Sequence, residues 1–399
     1  MQCVILAAGE GKRMRPLTST RPKVMLPLGN RPMLEHLVAA ARDAGITDIL
    51  LVVGYREEEV RRFFGDGSSF GVKIEYAVQR QQKGTADALA TAEEWVRGDF
   101  ILMNGDMVLS SGDIRSIVDA GPACMGVAPS DHPEDYGVVQ LEGDTVSVLR
   151  EKSREPAGNL VNAGIYHFGE DIFPIIGEVG LSPRGERELT DALSVLIANK
   201  ALRAVRVSSW LDVGFPWDLL SANEKMMENI TPAIAGTVED GAVLKGAVQV
   251  GQGSVVRAGS YIEGPCIIGK DCRIGPHAYI RGATTVGDGC HIGHATEVKN
   301  SIILPGTNLP HFNYLGDSVV GSGCNFGAGT KVANLRHDRA VVHVGGHPTM
   351  RKKFGAIIGD GAMFGINCSV NVGSVIGGGA AIGPHCLVEG YIAPGTKVR

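Results

Sequence analysis

The chain has 399 residues, too many for one ordinary hydrophobic core, so two domains are expected. Its 43 acidic against 38 basic side chains leave a net charge of −5, which argues against nucleic acid as a partner. No run of 18 apolar residues occurs, and the opening MQCVILAAGEGKRM reads as a strand and a glycine-rich turn rather than a signal peptide; a cytoplasmic protein without a membrane partner is expected.

From residue 1 to about 216, apolar strand runs alternate with helical patterns: CVILAAG, Met33 to Ala44, DILLVVG, Glu57 to Phe64, KIEYAVQ, Thr85 to Val96 and DFILMNGD. This order predicts an α/β domain with a mostly parallel sheet and helices on both faces. Ligands of such sheets bind beyond the carboxyl ends of the strands. The first strand runs into Leu6-Ala7-Ala8-Gly9 and then Glu10-Gly11-Lys12-Arg13-Met14. Two glycines after a strand match neither the dinucleotide nor the P-loop spacing. Arg13 and Arg21-Pro22-Lys23 add fixed cations to the backbone N–H groups, the combination a triphosphate needs as charge builds during transfer.

The run LAAGEGKRMRPLTSTRPKVMLPLGNRPML resembles the signature of the sugar-1-phosphate nucleotidylyltransferases, and later motifs keep that family's order. The resemblance implies a Rossmann-like nucleotidylyltransferase domain in which Leu6, Ala7, Ala8 and Gly9 meet the nucleotide. Arg13 then grips the β- and γ-phosphates and Lys23 the α-phosphate, while Arg15 and Arg21 read equally well as solvated surface charges. Gln79, in AVQRQQKGTADAL, has an amide suited to the N3–H and O4 of uracil or thymine, with Gly84 and Thr85 letting the backbone approach the base. That pairing favours UTP or dTTP over GTP or ATP. Asp106 ends FILMNGD and Asp212 follows VSSWL; either suits a turn, but two carboxylates on neighbouring strand ends suit one Mg²⁺, where the family places its metal. Gly137, Glu151-Lys152 and Asn162 match the segments that hold the sugar phosphate, Glu151 accepting from sugar hydroxyls. The implied reaction is in-line attack of a sugar-1-phosphate oxygen on the α-phosphorus with loss of pyrophosphate. Its nucleophile is already anionic, so no general base is required.

Beyond this region an aliphatic residue recurs at every sixth place from Val238 to Leu304, twelve times. Two residues ahead of it stands, nearly always, a small or slim one: Ala242, Val248, Ser254, Ser260, Cys266, Cys272, Ala278, Thr284, Cys290, Thr296. Both positions point inward in a stack of short parallel strands, the fold of a hexapeptide β-helix. Six of the eight cysteines occupy the small place and read as buried hydrophobes rather than zinc or disulfide ligands. The count slips at PGTNLPHFN after Leu304, resumes at Tyr314, Val320, Phe326 and Val332, slips again from Ala333 to about Ala356, and continues from Ile358 to Val388. Both slips read as insertions, leaving 22 units, or about seven coils at three per coil. Insertions in solenoids collect on the binding face.

The segment His311-Phe312-Asn313-Tyr314-Leu315-Gly316-Asp317 resembles the histidine motif of the bifunctional uridylyltransferase/glucosamine-1-phosphate acetyltransferases, and Asn325 to Thr330 with Asn334 match that family's acetyl-CoA region. Arg281 and Lys299 lie 18 residues, one coil, apart. Stacked coils place them side by side, and two unpaired cations about 5 Å apart repel unless an anion lies between them. The resemblance implies that this pair, Tyr314 and Asn325 bind the acetyl acceptor, that His311 is the general base, that the Ala328 N–H stabilises the oxyanion, and that Asn334 orients the amine or thioester. Lys353, in Arg351-Lys352-Lys353, would meet CoA phosphates.

The second slip is longer than in the bacterial enzymes and the chain stops at Arg399 without their C-terminal tail, so the layout looks closer to the archaeal type. The whole therefore reads as a nucleotidylyltransferase domain over 1–229, with LLSANEKMMENI as connector helix, and an acetyltransferase β-helix over 230–399. Its left hand and a homotrimeric assembly are implied by the family alone. Expected substrates are UTP or dTTP, sugar-1-phosphates and acetyl-CoA. The alternative is a glucose-1-phosphate thymidylyl- or uridylyltransferase whose β-helix only assembles subunits.

Overall fold

Apolar alternation decides the first sheet. In the computed structural model, which describes residues 1–151, 158–182 and 185–399, strand Gln2–Ala7 sends Cys3, Ile5 and Ala7 into one core and Val4 into another, one on each face. Helix Met33–Asp43 covers the first face with Leu34, Leu37, Val38 and Ala41, the spacing of an amphipathic helix. The nine strands run in the order Lys73–Val78, Asp48–Val53, Gln2–Ala7, Phe100–Asn104, Leu160–Phe168, Cys124–Pro129, Arg203–Arg206, Thr145–Glu151, Gly137–Glu142. The first four are parallel. From Leu160–Phe168 onward antiparallel pairs prevail, so the expectation of a mostly parallel sheet holds for half of it. The last two strands are joined by Gly143-Asp144, and a hairpin needs no crossover helix.

Contacts divide the chain into two compact units. One is Met1–Glu10, Pro22–Met25 and Pro32–Asp212; the other is Gly11–Arg21, Leu26–Arg31 and Val213–Arg399. Two pieces of the N-terminal signature and helix Asp218–Met227 thus fold with the C-terminal unit.

That second unit is built on three parallel sheets of 9, 9 and 8 strands, more than the 22 units counted from sequence. Successive coils pair in register, as in Tyr261↔Tyr279↔Glu297, with Ile262, Ile280 and Val298 fully buried beneath. All eight cysteines are free, and burial pushes the thiols of Cys266 and Cys290 up to about 12, which keeps them protonated and inert.

The first slip is not an insertion. Val286 pairs with Ile303, Ile292 with Leu309 and Val298 with Leu315. PGTNLPHFN is therefore ordinary coil, and the inward residues are Ile303, Leu309 and Leu315 rather than Leu304 and Tyr314. What slipped the count is two five-residue steps, Lys299 to Ile303 and Gly316 to Val320. The small residues keep the true phase, since Ser301, Thr307, Asn313 and Ser318 are all buried. The second slip is a real excursion: Val320 pairs with Ile358 and Val332 with Val370, while residues 333–355 leave the coil. A bridge between Leu335 and Lys353 closes it, and it carries the hairpin His343–Val344/His347–Pro348.

One corner of the coil ties these irregularities together. Its amides bond to the coil before: Gly264 to Lys245, Asn300 to Arg281, Asp317 to Lys299, Gly355 to Asp317, Gly373 to Gly355. Gly282, at φ +69, precedes Asn300 there. Both five-residue steps put a side chain at this left-handed position, Asn300 and Asp317 each at φ 47, and Asn and Asp tolerate it best after glycine. The excursion rejoins the coil at Gly355, in the same corner.

Candidate active sites

In the first unit, strand Phe100–Asn104 ends in Gly105-Asp106, and the short strand Met107–Val108 pairs with Leu211–Asp212 so that Asp212 faces Met107. Asp106 and Asp212 thus lie on adjoining strand ends. The Lys23 ammonium, nearly buried, sits 2.6 Å from Asp106 Oδ2. The Tyr136 hydroxyl donates to Asp212 at 3.2 Å, which brings the Tyr136-Gly137 segment to the same place. Glu151 pairs with Gly137, and a Cβ at 137 would fall 2.9 Å from the Glu151 carboxylate and 3.7 Å from Asn162, so these three are neighbours. Asn162 is itself engaged, donating to the Tyr166 hydroxyl at 2.7 Å and accepting from Gly164 N–H at 3.0 Å. Lys152 lies outside the described residues.

The residues expected to meet the base are engaged within the protein. Buried Gln79 spends its amide hydrogens on the Gly84 carbonyl at 3.0 Å and the Asp87 carboxylate at 2.9 Å. Gly84, at φ +105, is required because the Arg187 carbonyl would meet any Cβ at 2.2 Å. Thr85 Oγ1 accepts from Leu189 N–H at 2.9 Å. These two residues therefore dock the 187–189 segment. Leu6 and Ala8 carbonyls accept from Gly105 and Tyr55 N–H groups, and nothing lies within 4 Å of a Cβ built at Gly9, so space is open there.

In the second unit, the Arg13 guanidinium lies 4.9 Å from the centre of the Phe215 ring, itself stacked on Trp217. Arg13 and Arg15 line a cavity of about 160 Å³ with Phe215, Trp217, Val344 and His347. Arg21 is paired with Asp360 at 2.6 Å, which removes it from the free surface charges.

On the coil, Arg281 and Lys299 are register partners, as their spacing requires. They are not unpaired. Arg281 Nε and Nη2 both bond to Glu297, at 3.0 and 2.9 Å, and Lys299 Nζ bonds to Asp317 at 2.8 Å. Sequence reasoning missed both carboxylates, although Asp317 closes the quoted motif and Glu297 stands two residues before Lys299. Asp317, 2 % exposed, also accepts from Asn300 Nδ2 at 2.9 Å and from Asn334 Nδ2. Burial, with Glu297 and Asp317 close by, raises the Tyr314 hydroxyl above its usual range and keeps it a donor; it also bonds to Asn334.

Lys299, Tyr314, Asp317 and Asn334 accordingly form one network with Arg281 and Glu297 at its edge. His311 is exposed at the end of strand Asn308–His311, beside His294. Asn325 pairs with Asn308 one coil on, and the Ala328 carbonyl accepts from Asn367 N–H at 2.8 Å. Lys353 is exposed at the foot of the excursion, whereas neighbouring Arg351 is spent on Glu224 and Ser221 of helix Asp218–Met227. The expected connector helix is thus packed on the coil: Asn223 Nδ2 donates to Ala283 O at 2.9 Å and Asn300 Nδ2 to Glu224 at 2.7 Å. Among the described residues no group of three or more His, Cys, Asp or Glu is arranged to hold a metal ion, and no helix is long and apolar enough to cross a membrane.

Residues 2–229 match the family model described as nucleotidyl transferase, and residues 262–398 match the one described as GMPPB C-terminal domain. A Methanococcus maripaludis protein named bifunctional protein GlmU is 39 % identical, over 92 % of this chain and 90 % of its own. Its namesake in Methanocaldococcus jannaschii is 38 % identical over the same shares. A Sulfurisphaera tokodaii protein named bifunctional sugar-1-phosphate nucleotidylyltransferase/acetyltransferase is 36 % identical over 93 % and 92 %. Among solved structures, a putative glucose-1-phosphate thymidylyltransferase from Bacillus anthracis, in complex with a sucrose, aligns with a TM-score of 0.55 and 32 % identity over 58 % of this chain and 98 % of its own.

Proposed function

Since the chain belongs to the family of bifunctional sugar-1-phosphate nucleotidylyltransferase/acetyltransferases, we propose that it makes UDP-N-acetylglucosamine in two steps. The coil transfers acetyl from acetyl-CoA to glucosamine-1-phosphate, and the first unit transfers uridylyl from UTP to the product. What carries the reading is that each unit holds its own cluster of motif residues, in a chain that matches relatives named for both activities over nine-tenths of its length.

In uridylyl transfer the sugar phosphate oxygen attacks the α-phosphorus and pyrophosphate leaves. Asp106 and Asp212 fit Mg²⁺, a hard cation that takes one or two carboxylates and completes its shell with phosphate and water; bound there it would neutralise the α-phosphate. Lys23, which now balances Asp106, turns to the α-phosphate, and Arg13 serves the β- and γ-phosphates. Glu151 and Asn162 hold the sugar, and Gln79 Oε1 takes the N3–H of uracil. In acetyl transfer His311 removes a proton from the sugar amine, nitrogen attacks the thioester carbonyl, Ala328 N–H meets the oxyanion, and CoA leaves as the thiol. Arg281, Lys299, Tyr314 and Asn325 receive the sugar phosphate, Asn334 orients the thioester, Lys353 meets CoA, and the coils assemble as a trimer.

A second reading, in which the coil only assembles subunits, draws on the carboxylate partners of Arg281 and Lys299, which leave that ladder no net positive charge. Two assays separate the readings. Pyrophosphate release with UTP, dTTP, GTP and ATP against a panel of sugar phosphates should be fastest with UTP, and Lys23→Ala should lower it about 100-fold; unchanged release in both Lys23→Ala and Asp106→Ala removes those assignments. Thiol release from acetyl-CoA should require an amino-sugar phosphate, and wild type releasing none with any of them leaves only the second reading.

A further inference from the structure

The eight-stranded sheet of the coil carries Lys245, Arg281, Lys299 and Lys331 in its strands. The first three are neutralised in place: Lys245 by Glu263 at 3.2 Å, Arg281 by Glu297 at 2.9 Å and Lys299 by Asp317 at 2.8 Å. Lys331 differs. It is the register partner of Tyr314 one coil on, and its ammonium donates to the Phe312 carbonyl and, at 3.1 Å, to the Gly329 carbonyl. Among the described residues no carboxylate pairs with it; partial burial lowers its pKa, and no nearby acid acts to raise it. An ammonium has three donors, so with two of them on neutral carbonyls the whole charge and one N–H are left over. The net positive charge of this face therefore rests on Lys331.

Those two carbonyls also fix where the charge sits. Phe312 follows His311 and Gly329 follows Ala328, and the Gly329 N–H donates to the His311 carbonyl at 3.0 Å. Asn313 Nδ2, bonded to Gly327 O at 2.8 Å, ties the same two coils together. The Lys331 side chain thus folds back from its strand onto the corner that carries His311 and Ala328, with Tyr314 next to it on the sheet. A lysine is a compact point charge well suited to phosphate, whose monoester carries more than one negative charge at neutral pH. In glucosamine-1-phosphate the amine and the phosphate stand on adjacent ring carbons, so an amine within reach of His311 brings its phosphate to this corner. The phosphates of acetyl-CoA lie a whole pantetheine arm away from the thioester that reacts there.

We propose that Lys331 supplies the uncompensated positive charge that binds the phosphate of the acetyl acceptor, alongside the groups already named on this face. This rests on the reading that the coil acetylates an amino-sugar phosphate. It also answers the objection that the Arg281 and Lys299 pairs leave the ladder without net charge, because the charge enters one coil further on.

The test is steady-state thiol release with the full chain. Lys331→Ala should raise KM for glucosamine-1-phosphate about tenfold or more, the loss of one charge-assisted hydrogen bond, and leave KM for acetyl-CoA and pyrophosphate release from UTP within about twofold. Lys331→Arg keeps the charge and should recover most of the loss, whereas Lys245→Ala removes a cation that has its own carboxylate and should leave KM as it is. Inorganic phosphate should compete with glucosamine-1-phosphate, about tenfold more weakly in Lys331→Ala than in wild type. Unchanged KM for glucosamine-1-phosphate and unchanged phosphate inhibition in Lys331→Ala overturn the assignment, as does a rise confined to KM for acetyl-CoA or a fall in kcat alone. Wild type that releases no thiol with any amino-sugar phosphate overturns the acetyltransferase reading instead. Titration of inorganic phosphate followed by phosphorus NMR then still decides on Lys331: weaker binding in Lys331→Ala supports an anion site there, and equal binding removes it.

Discussion

The coils from Val238 to Val298 and those from Lys299 to Val332 share one core and part ways at one corner. In the first stretch every step is six residues and Gly264 and Gly282 turn that corner; the surface beside them holds more exposed contacts, such as Glu263 with Lys245 and Tyr279. In the second stretch two steps are five residues long, Asn300 and Asp317 replace glycine at positive φ, and their side chains join into the network of Lys299, Tyr314 and Asn334. A left-handed Asn or Asp is strained relative to glycine, and an almost buried carboxylate is costly unless fully bonded. Positive φ alone does not separate the two stretches, since Asp271, His277 and Ala295 adopt it in the regular one; what sets the second apart is an almost buried carboxylate bonded to Lys299, Asn300 and Asn334.

The contrast is broken most forcefully at Asp317. Asp317→Ala leaves Lys299 without its partner and Asn300 and Asn334 without their acceptor, so it should cost about 3–5 kcal/mol of stability and lower thiol release at least about 100-fold. Asp271, another positive-φ aspartate but in the regular stretch and exposed, should tolerate alanine with thiol release within twofold. Leu309 sharpens the other half of the contrast, that both stretches share a core. Leu309→Ala should cost about 2–5 kcal/mol in denaturant unfolding, as much as Ile280→Ala, whereas a residue in a loose insertion would cost little.

The first unit offers a buried carboxylate with a purely structural task. Burial would raise the Asp113 carboxyl, but donors from Ser209, Ser110 and Ser208 outweigh it and hold it at about 2, below the usual 3.8. Its contribution is thus complete above about pH 4 and lost as pH falls toward 2, worth about 2 kcal/mol, and Asp113→Asn should flatten that part of the acid-unfolding curve while sparing thiol release. The smallest effect is expected at the corner itself. Asn300→Gly relieves the positive φ and removes the bonds to Asp317 and Glu224, so stability should move by less than about 1 kcal/mol while thiol release falls about tenfold.

How much of this the sequence carries depends on the kind of signal. Regular burial is legible: the period of six and the small residue two places before it define the coil, and CVILA and DILLVV mark the first sheet. The five-residue steps were hidden because Leu304 and Tyr314 are large enough to pass for the next inward residue, although the spacing Thr296, Ser301, Thr307, Asn313, Ser318 records the shortened steps. Motif residues were legible as candidates but their partners were not. Spacing placed Arg281 beside Lys299 correctly, yet nothing in a spacing says that Glu297 and Asp317 will neutralise them, because ion pairing is decided by side chains that converge in space from different coils. The same holds for Arg21 and Asp360, 339 residues apart.

The second active site stands or falls on His311. A single preparation of wild type and His311→Ala, assayed in parallel for thiol release from acetyl-CoA with glucosamine-1-phosphate and for pyrophosphate release from UTP with N-acetylglucosamine-1-phosphate, should show thiol release lost and pyrophosphate release intact. Full thiol release by His311→Ala, or none by wild type, would contradict it.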